Sequence, residues 1–158
     1  MLRRLLVPTV LVLALVEHAA TGWAQPSERI QPTPGFAWDQ AKVSDLTQQL
    51  VDGVVALRLE FAKQPAPAAG SNESQTYFKV SDDLRLIESE SRELASRVAK
   101  GASQDESFPI YDRLRTMIRD ARMDALQQVL QPSVLDRRAR VRATLIALDP
   151  YYNGPGTR

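Results

Sequence analysis

Five arginines near the end of the chain have a spacing that could bind an anion. Side chains three, four or seven residues apart lie on one face of a helix. The guanidinium group of arginine donates hydrogen bonds in a planar fork that matches the oxygens of a carboxylate or a phosphate. The spacing therefore predicts a binding face for an acidic ligand or an acidic protein partner. Its residues are Arg115, Arg119 and Arg122 in one predicted helix, and Arg138 and Arg142 in the next.

The same arginines have a second, purely structural interpretation. Like charges four residues apart destabilise a helix by about 0.2–0.5 kcal/mol, so neighbouring acids would have to balance them. Acids of the first two predicted helices could do this, because complementary flanking charges select helix partners. These acids are Asp83, Glu88, Glu90 and Glu93. Arg138 is a separate case, since it interrupts an apolar stripe and would either extend its charge to water or fix the register of its helix.

Charge is distributed unevenly along the chain, although it nearly cancels. Residues 25–106 carry 13 acidic and 9 basic side chains, whereas residues 107–158 carry 5 acidic and 9 basic ones, so the two parts have net charges of −4 and +4. Residues 25–158 together are therefore neutral, which gives no bulk attraction to nucleic acid or to anionic lipid. We expect no nucleic-acid partner.

Most residue types that catalytic and metal sites require are missing. The chain has no cysteine, and its single histidine is His18. Without further histidine or cysteine, the chain after residue 24 cannot build a Ser-His-Asp triad, a zinc site or a covalent haem attachment. We therefore expect no catalytic residues, no cofactor and no zinc, copper, iron or haem. The densest acid pairs, Asp82-Asp83 and Asp105-Glu106, lack the spacing of an EF-hand calcium loop.

His18 itself lies in a segment that has the features of a signal peptide. Arg3 and Arg4 precede a mostly apolar run over residues 5–16, which is too short to span a membrane. Gly22-Trp23-Ala24 then places small residues at positions −3 and −1 of a cleavage site. The sequence predicts cleavage after Ala24, with Ala20 as an alternative site and an uncleaved anchor as the alternative topology. Cleavage implies a periplasmic or secreted protein with no stable membrane span.

After the leader, the sequence predicts a tether, four helices and a tail. Residues 25–35 contain three prolines, which favour a non-helical tether. From about residue 36, apolar residues recur every three or four positions in four segments separated by proline- or glycine-containing breaks, and no strand pattern competes. This pattern predicts an all-α domain over residues 36–150, an antiparallel up-down four-helix bundle, followed by a tail over residues 151–158.

Prolines and capping residues predict where the helices begin and end. Proline is tolerated in the first turn of a helix and not in its interior, so the third helix should begin near Ser107 and the fourth should end at Asp149-Pro150. Asn or Ser followed by an acid or amide three residues later resembles a capping box. Such pairs are Asn72 with Gln75 and Ser133 with Asp136. Gly53, on the stripe of the first helix, should allow close approach of a neighbouring helix.

Three functions are compatible with this composition. The first is an exported, non-catalytic bundle that acts by binding or scaffolding. The second is a bundle that holds a small ligand in an apolar pocket between its helices. The third is a hydrolase that uses a pair of carboxylates, for which Glu60 is the only carboxylate near an apolar stripe.

Overall fold

The computed structural model describes residues 36–125 and 129–153, and over these ranges it contains helices and no strands. The predicted all-α fold class is confirmed. The predicted leader and tether lie outside the described residues. The four helices are α1 (Gln40–Phe61), α2 (Asn72–Ala99), α3 (Gln104–Ala125) and α4 (Pro132–Tyr152). Among these described helices, none is long and apolar enough to cross a membrane.

The predicted apolar stripes form the core. In α2, every stripe position from Val80 to Val98 is buried, including the polar Ser91. The hydroxyl of Ser91 donates a hydrogen bond to the carbonyl oxygen of Ile87 at 2.7 Å, so burial leaves no unsatisfied polar group there. Burial of these side chains is the main stabilising contribution, at about 25 cal/mol per Å² of apolar surface.

The helices pack unequally against one another. α1 packs extensively against both α2 and α4, and α2 packs equally well against α3. α3 and α4 have far fewer contacts with each other than any other packed pair. The helices therefore form a row in the order α4, α1, α2 and α3, and the two outermost helices meet only loosely. This loose pair carries the five predicted site residues.

Side-chain contacts join the beginning of each helix to the end of its neighbour. The side-chain amide of Gln40, the first residue of α1, donates a hydrogen bond to the carbonyl of Val98 at the end of α2. The ammonium group of Lys79, near the start of α2, lies 2.8 Å from the carboxylate of Asp124 near the end of α3. These contacts determine which helix ends lie side by side.

α1 and α4 approach closely at Gly53. A Cβ atom at this position would lie 3.3 Å from Cγ2 of Val141 on α4, which is closer than an ordinary van der Waals contact. α1 continues without a break through this glycine. The predicted role of Gly53 in close helix approach is confirmed.

Two predicted helix starts are wrong by a few residues. α1 begins at Gln40 and not near residue 36, because Asp39 is its N-cap and accepts a hydrogen bond from the backbone N–H of Lys42 at 3.0 Å. The predicted cap of α2 is also incorrect. Ser71, and not Asn72, is the N-cap, and its hydroxyl accepts from the N–H of Ser74 at 3.1 Å.

The third helix begins at Gln104, three residues earlier than predicted, and Pro109 lies inside it. The reason is a capping box formed by Ser103 and Glu106, a pair that was not predicted. The carboxylate of Glu106 accepts hydrogen bonds from the backbone N–H of Ser103 at 2.8 Å and from its hydroxyl at 2.9 Å. These two bonds lower the pKa of Glu106. The cap fixes the first turn before the proline is reached.

The predicted ends of α4 are wrong as well. The helix begins with Pro132, whose fixed φ suits the first helical position, and Gln131 at the N-cap makes no side-chain capping bond. Ser133 instead lies near Glu60 and lowers the pKa of that carboxyl group. The helix continues through Pro150 to Tyr152, which is fully buried. Burial of this aromatic ring offsets the backbone bond that the proline removes.

Candidate functional site

α3 and α4 meet firmly at one end. The ring of Tyr111 on α3 stacks on the ring of Tyr152 on α4, with centroids 4.0 Å apart. The hydroxyl of Tyr111 donates a hydrogen bond to the carboxylate of Asp149. Two further hydrogen bonds join the same helix ends, from the Gln104 amide to the Tyr151 carbonyl and from the Tyr152 hydroxyl to Ser107. We call this set of contacts the closed end of the seam between α3 and α4.

Burial and charge fix the protonation of the closed end. Burial raises the pKa of Tyr111, and its hydrogen bond to Asp149 raises that pKa further, so the hydroxyl stays a donor at physiological pH. Nε of Arg115 lies 3.6 Å from the same carboxylate, and its guanidinium carbon lies 5.8 Å from the centroid of the Tyr111 ring. Of the five predicted site residues, Arg115 is therefore the one that the fold itself uses.

Aromatic residues before α1 cover the closed end. Trp38 meets Tyr152 edge-on with ring centroids 5.5 Å apart, and Phe36 meets Tyr151 in the same way at 5.4 Å. The backbone N–H of Phe36 also donates to the carbonyl of Pro150 at 3.1 Å. The aromatic side chains before α1 and at the end of α4 thus close this end together.

Helix geometry places all five predicted arginines on the sides of α3 and α4 that face each other. Arg115 contacts α4 directly, and Arg119 and Arg122 follow it by four and seven residues, along the same side of α3. Asp149 contacts α3, and Arg142 and Arg138 precede it by seven and eleven residues, along the same side of α4. The structure therefore brings the two predicted groups of arginine to the two walls of one seam.

Beyond the closed end, the described residues of α3 and α4 make no hydrogen bond, ion pair or ring contact with each other. Among the described residues, the hydrogen bonds, ion pairs and ring contacts between α3 and α4 all involve residues 104–115 of α3 and 149–152 of α4. We call the part between residues 118–125 and residues 135–146 the open part of the seam. Its arginines are Arg119 and Arg122 on α3 and Arg138 and Arg142 on α4.

The arginines of the open part lack acidic partners on neighbouring helices. Arg119 pairs only with the adjacent Asp120, at 3.2 Å, and both side chains are exposed. Arg122, Arg138 and Arg142 form no ion pair with any residue in the described ranges. Their charges are consequently left to solvent within the described part of the chain.

The predicted pairing of these arginines with the acids of α2 is wrong. Glu88 pairs with Arg58 of α1 and with Arg92, and Glu90 pairs with Arg113 of α3. Glu93 lies near Arg97 and Arg113. Asp83 lies near Lys79 and Asp124. The physical reason is that successive residues of a helix are rotated by about 100° around its axis. Arg113 and Arg115 are two residues apart, so their side chains point to opposite flanks of α3.

Apolar side chains accompany the arginines along the open part. Ile118 of α3 and Leu145 of α4 are half-buried against the core. On the same side of α4, Leu135 is 39% exposed and Ile146 is 57% exposed. Two arginines therefore lie between apolar residues along this side of α4, in the order Leu135, Arg138, Arg142, Leu145 and Ile146. Residue spacing predicted the arginines of the seam but not these apolar neighbours.

Two other grooves border α1, and both are open to solvent. A groove of about 710 Å³ between α1 and α2 is lined largely by small or apolar side chains, among them Val51, Val55, Ala56, Ala95 and Ala99. A groove of about 270 Å³ between α1 and α4 contains Arg137 and Arg140. These two arginines lie on the flank of α4 opposite the seam. The volume of the larger groove lies in the range of ligand pockets, but neither groove is enclosed by the bundle.

The carboxylates in the described ranges form no metal cluster. No group of three or more potential metal ligands occurs among these residues. The hydrogen bonds from Lys63 and Ser133 lower the pKa of Glu60, the carboxylate near the α1 stripe. The pKa of Asp83 is raised instead, because the side chain is partly buried and Asp124 lies nearby.

The candidate site is therefore a seam with one closed end and an open part flanked by arginine. No family model, no curated protein and no solved structure matches the chain.

Proposed function

We propose that this chain is an exported, non-catalytic helical-bundle protein that binds an acidic partner at the open part of the seam between α3 and α4. The observation that carries the proposal is the lack of ion pairs at Arg122, Arg138 and Arg142 within the described ranges, although they occupy the walls of one seam. Other arginines of the bundle, such as Arg58 and Arg113, do pair with acids across a helix interface.

The antiparallel up-down arrangement is part of this proposal. Contacts between the start of one helix and the end of the next support it, namely Gln40 with Val98 and Lys79 with Asp124. The stack of Tyr111 on Tyr152 relates α3 and α4 in the same manner. Connections of only a few residues between helices are typical of such bundles. In this arrangement the two arginine stripes run alongside each other for the length of the seam.

Electrostatics explains why an acidic partner fits the seam. Residues 107–158 carry a net charge of +4, and unpaired guanidinium groups on two facing walls repel each other. A partner with carboxylates would replace this repulsion with charge-assisted hydrogen bonds. Complementary charge would also speed association, and it would make binding weaker as salt concentration rises.

Export and the absence of catalysis complete the proposal. The leader with its expected cleavage site after Ala24 supports a periplasmic or secreted location. A glycosidase-type acid needs a raised pKa, whereas the pKa of Glu60 is lowered by its hydrogen bonds. Glu60 therefore lacks the raised pKa that such an acid needs.

Titration with poly-L-glutamate tests whether the seam binds acidic chains. The purified chain should bind this polymer at low salt, and binding should weaken as salt is added. Arg138→Gln with Arg142→Gln should reduce affinity, because both side chains lie on the seam. The matched control is Arg137→Gln with Arg140→Gln, which removes the same charge from the opposite flank of α4. An equal loss in both variants, or no binding at all, would contradict the proposed function.

A further inference from the structure

We infer that the acidic partner is an amphipathic protein helix that lies lengthwise in the open part of the seam. Its acidic residues would pair with Arg122, Arg138 and Arg142, and its apolar residues would cover Ile118 and Leu145. This inference rests on the proposed function and adds the class of partner to it.

The length of the open part favours an elongated partner over a small anion. On α4, the exposed stripe runs from Leu135 to Ile146, which corresponds to about 16 Å along the helix axis at a rise of about 1.5 Å per residue. A single phosphate or carboxylate group could engage only one turn of this stripe. A partner that neutralises both Arg138 and Arg142 and also reaches Arg122 must extend along the groove.

The spacing of the stripe favours a helix as that partner. Leu135, Arg138, Arg142 and Leu145 follow each other at three, four and three residues. An amphipathic helix presents its side chains with this same period, so its apolar anchors can sit between the arginines and its acids beside them. Exposed leucine and isoleucine in the stripe supply apolar contacts that an inorganic anion cannot use.

The facing walls repel each other at the level where the partner would bind. Seven residues beyond Tyr111 is Ile118, and seven residues before Tyr152 is Leu145, so the stack at the closed end places these two apolar residues at one level. One turn further, Arg122 and Arg142 come to a common level, and neither forms an ion pair within the described ranges. Like charges at a common level repel each other, and an acidic helix between them would remove this repulsion.

The positive surface is too narrow for a nucleic acid or a membrane. Other sides of α3 and α4 carry aspartates, and by helix geometry the side chains of these aspartates point away from the seam. These residues are Asp120 and Asp136. They would repel any wide anionic surface laid across both helices. The chain's own segment 25–35 is not a suitable occupant either, because it holds one acid and three prolines.

A designed peptide provides the test. The probe has three heptads with leucine at the core positions and glutamate at the flanking positions, and it is used below its self-association concentration. Its control is a scrambled peptide of the same composition. Poly-L-glutamate serves as an acidic chain without an apolar face. Fluorescence anisotropy gives the affinity of the full chain for each probe, and circular dichroism gives the helicity of the bound peptide.

The amphipathic peptide should gain helicity on binding and should bind about tenfold more tightly than the scrambled peptide. Arg138→Gln with Arg142→Gln should weaken its binding about tenfold, as expected for two charge pairs, whereas Arg137→Gln with Arg140→Gln should not. Leu135→Ser with Ile146→Ser tests the apolar contacts separately. Because both side chains are exposed, this variant should fold normally, bind the peptide more weakly and bind poly-L-glutamate unchanged.

Equal affinity for the amphipathic and scrambled peptides would overturn the inference of a helical partner. If poly-L-glutamate binding still depended on Arg138 and Arg142, the proposed function would survive that result. If binding of no probe depended on Arg138 and Arg142, the proposed function and the inference of a helical partner would both be contradicted. Self-association that requires Arg138 and Arg142, measured by sedimentation equilibrium, would identify a second copy of the chain as the occupant and would also overturn the inference.

Discussion

Asp83 shows at the level of one residue how burial and neighbouring charge act on a side chain. The carboxylate is partly buried near Asp124, and these two causes raise its pKa, while Lys79 opposes the shift. The ionised form of Asp83 is therefore less favourable in the folded chain than in the unfolded one. In the pH range between the ordinary pKa and the raised one, the folded chain binds more protons, so stability falls as pH rises through that range.

Asp83→Asn should therefore raise the free energy of unfolding at pH 7. The gain should disappear below the ordinary aspartate pKa of about 3.9, where Asp83 is protonated in both states. Urea unfolding at pH 7 and at about pH 3 measures both quantities. The matched control is Asp82→Asn, because Asp82 is exposed and its Oδ1 lies 3.3 Å from Nη1 of Arg85. Removal of the Asp82 charge should give no gain in the free energy of unfolding. A gain of equal size at both pH values would show that charge is not the cause.

Residue spacing predicted the candidate arginines but not their neighbours. Arg113 and Arg115 differ by only two positions, yet Arg113 pairs with Glu90 of α2 and Arg115 with Asp149 of α4. Periodicity identifies residues that share a face, and it gives no information on which helix lies against that face. The predicted partners of the α2 acids were wrong because this information was missing.

At the level of helices, the contact between Gly53 and Val141 sets the distance between α1 and α4. Glycine inside a helix costs about 1 kcal/mol relative to alanine, so an alanine here would ordinarily stabilise α1. The added Cβ would lie 3.3 Å from Cγ2 of Val141. Val141 is buried and β-branched, and such a side chain has one strongly preferred rotamer in a helix, so it cannot easily move aside.

A double-mutant cycle tests this contact. Gly53→Ala alone should gain clearly less than the expected ~1 kcal/mol of helix propensity, or should lose stability. In a Val141→Ala background the same substitution should gain about 1 kcal/mol, because the obstructing methyl group is gone. Chemical denaturation of the four proteins gives the coupling energy. Identical effects of Gly53→Ala in both backgrounds would mean that the helices do not meet at this residue.

The interiors of the helices were predictable, and several of their ends were not. Stripes of apolar residues located all four helices, because burial of one face dominates helix stability in proteins. The start of α3 and the end of α4 were predicted from prolines alone. In the structure, the capping box of Ser103 with Glu106 and the burial of Tyr152 outweigh the bonds that Pro109 and Pro150 remove. The rule that proline ends a helix fails where capping and burial favour continuation of the helix.

At the level of the whole molecule, the order of helix packing determines where the candidate site lies. Composition showed that the acidic and basic residues are separated along the chain. It could not show that α3 and α4 are the loosely packed pair, since this depends on contacts between segments distant in sequence. Arg119, Arg122, Arg138 and Arg142 consequently lie along the seam of this loosely packed pair.

Processing of the leader is a prediction about the whole chain. N-terminal sequencing of the protein from the cell envelope should begin at Gln25, or less abundantly at Thr21. The basic residues at positions 3 and 4, the apolar run and the small residues before the cut are the features that a signal peptidase requires. Recovery of the intact N-terminus, Met1, in washed membranes would contradict export with cleavage and would indicate an anchored protein.

The central claim is that the arginines of the open part serve a partner and not the fold. The most direct test is the free energy of unfolding of the chain with Arg122, Arg138 and Arg142 all replaced by glutamine. Arg58→Gln is the reference, because Arg58 pairs with Glu88 at a half-buried interface and its loss should cost about 1–3 kcal/mol. We expect the triple variant to be as stable as the natural chain or slightly more stable, since facing positive charges are removed. A loss of about 2 kcal/mol or more in the triple variant would show that these arginines stabilise the bundle, and would contradict the claim.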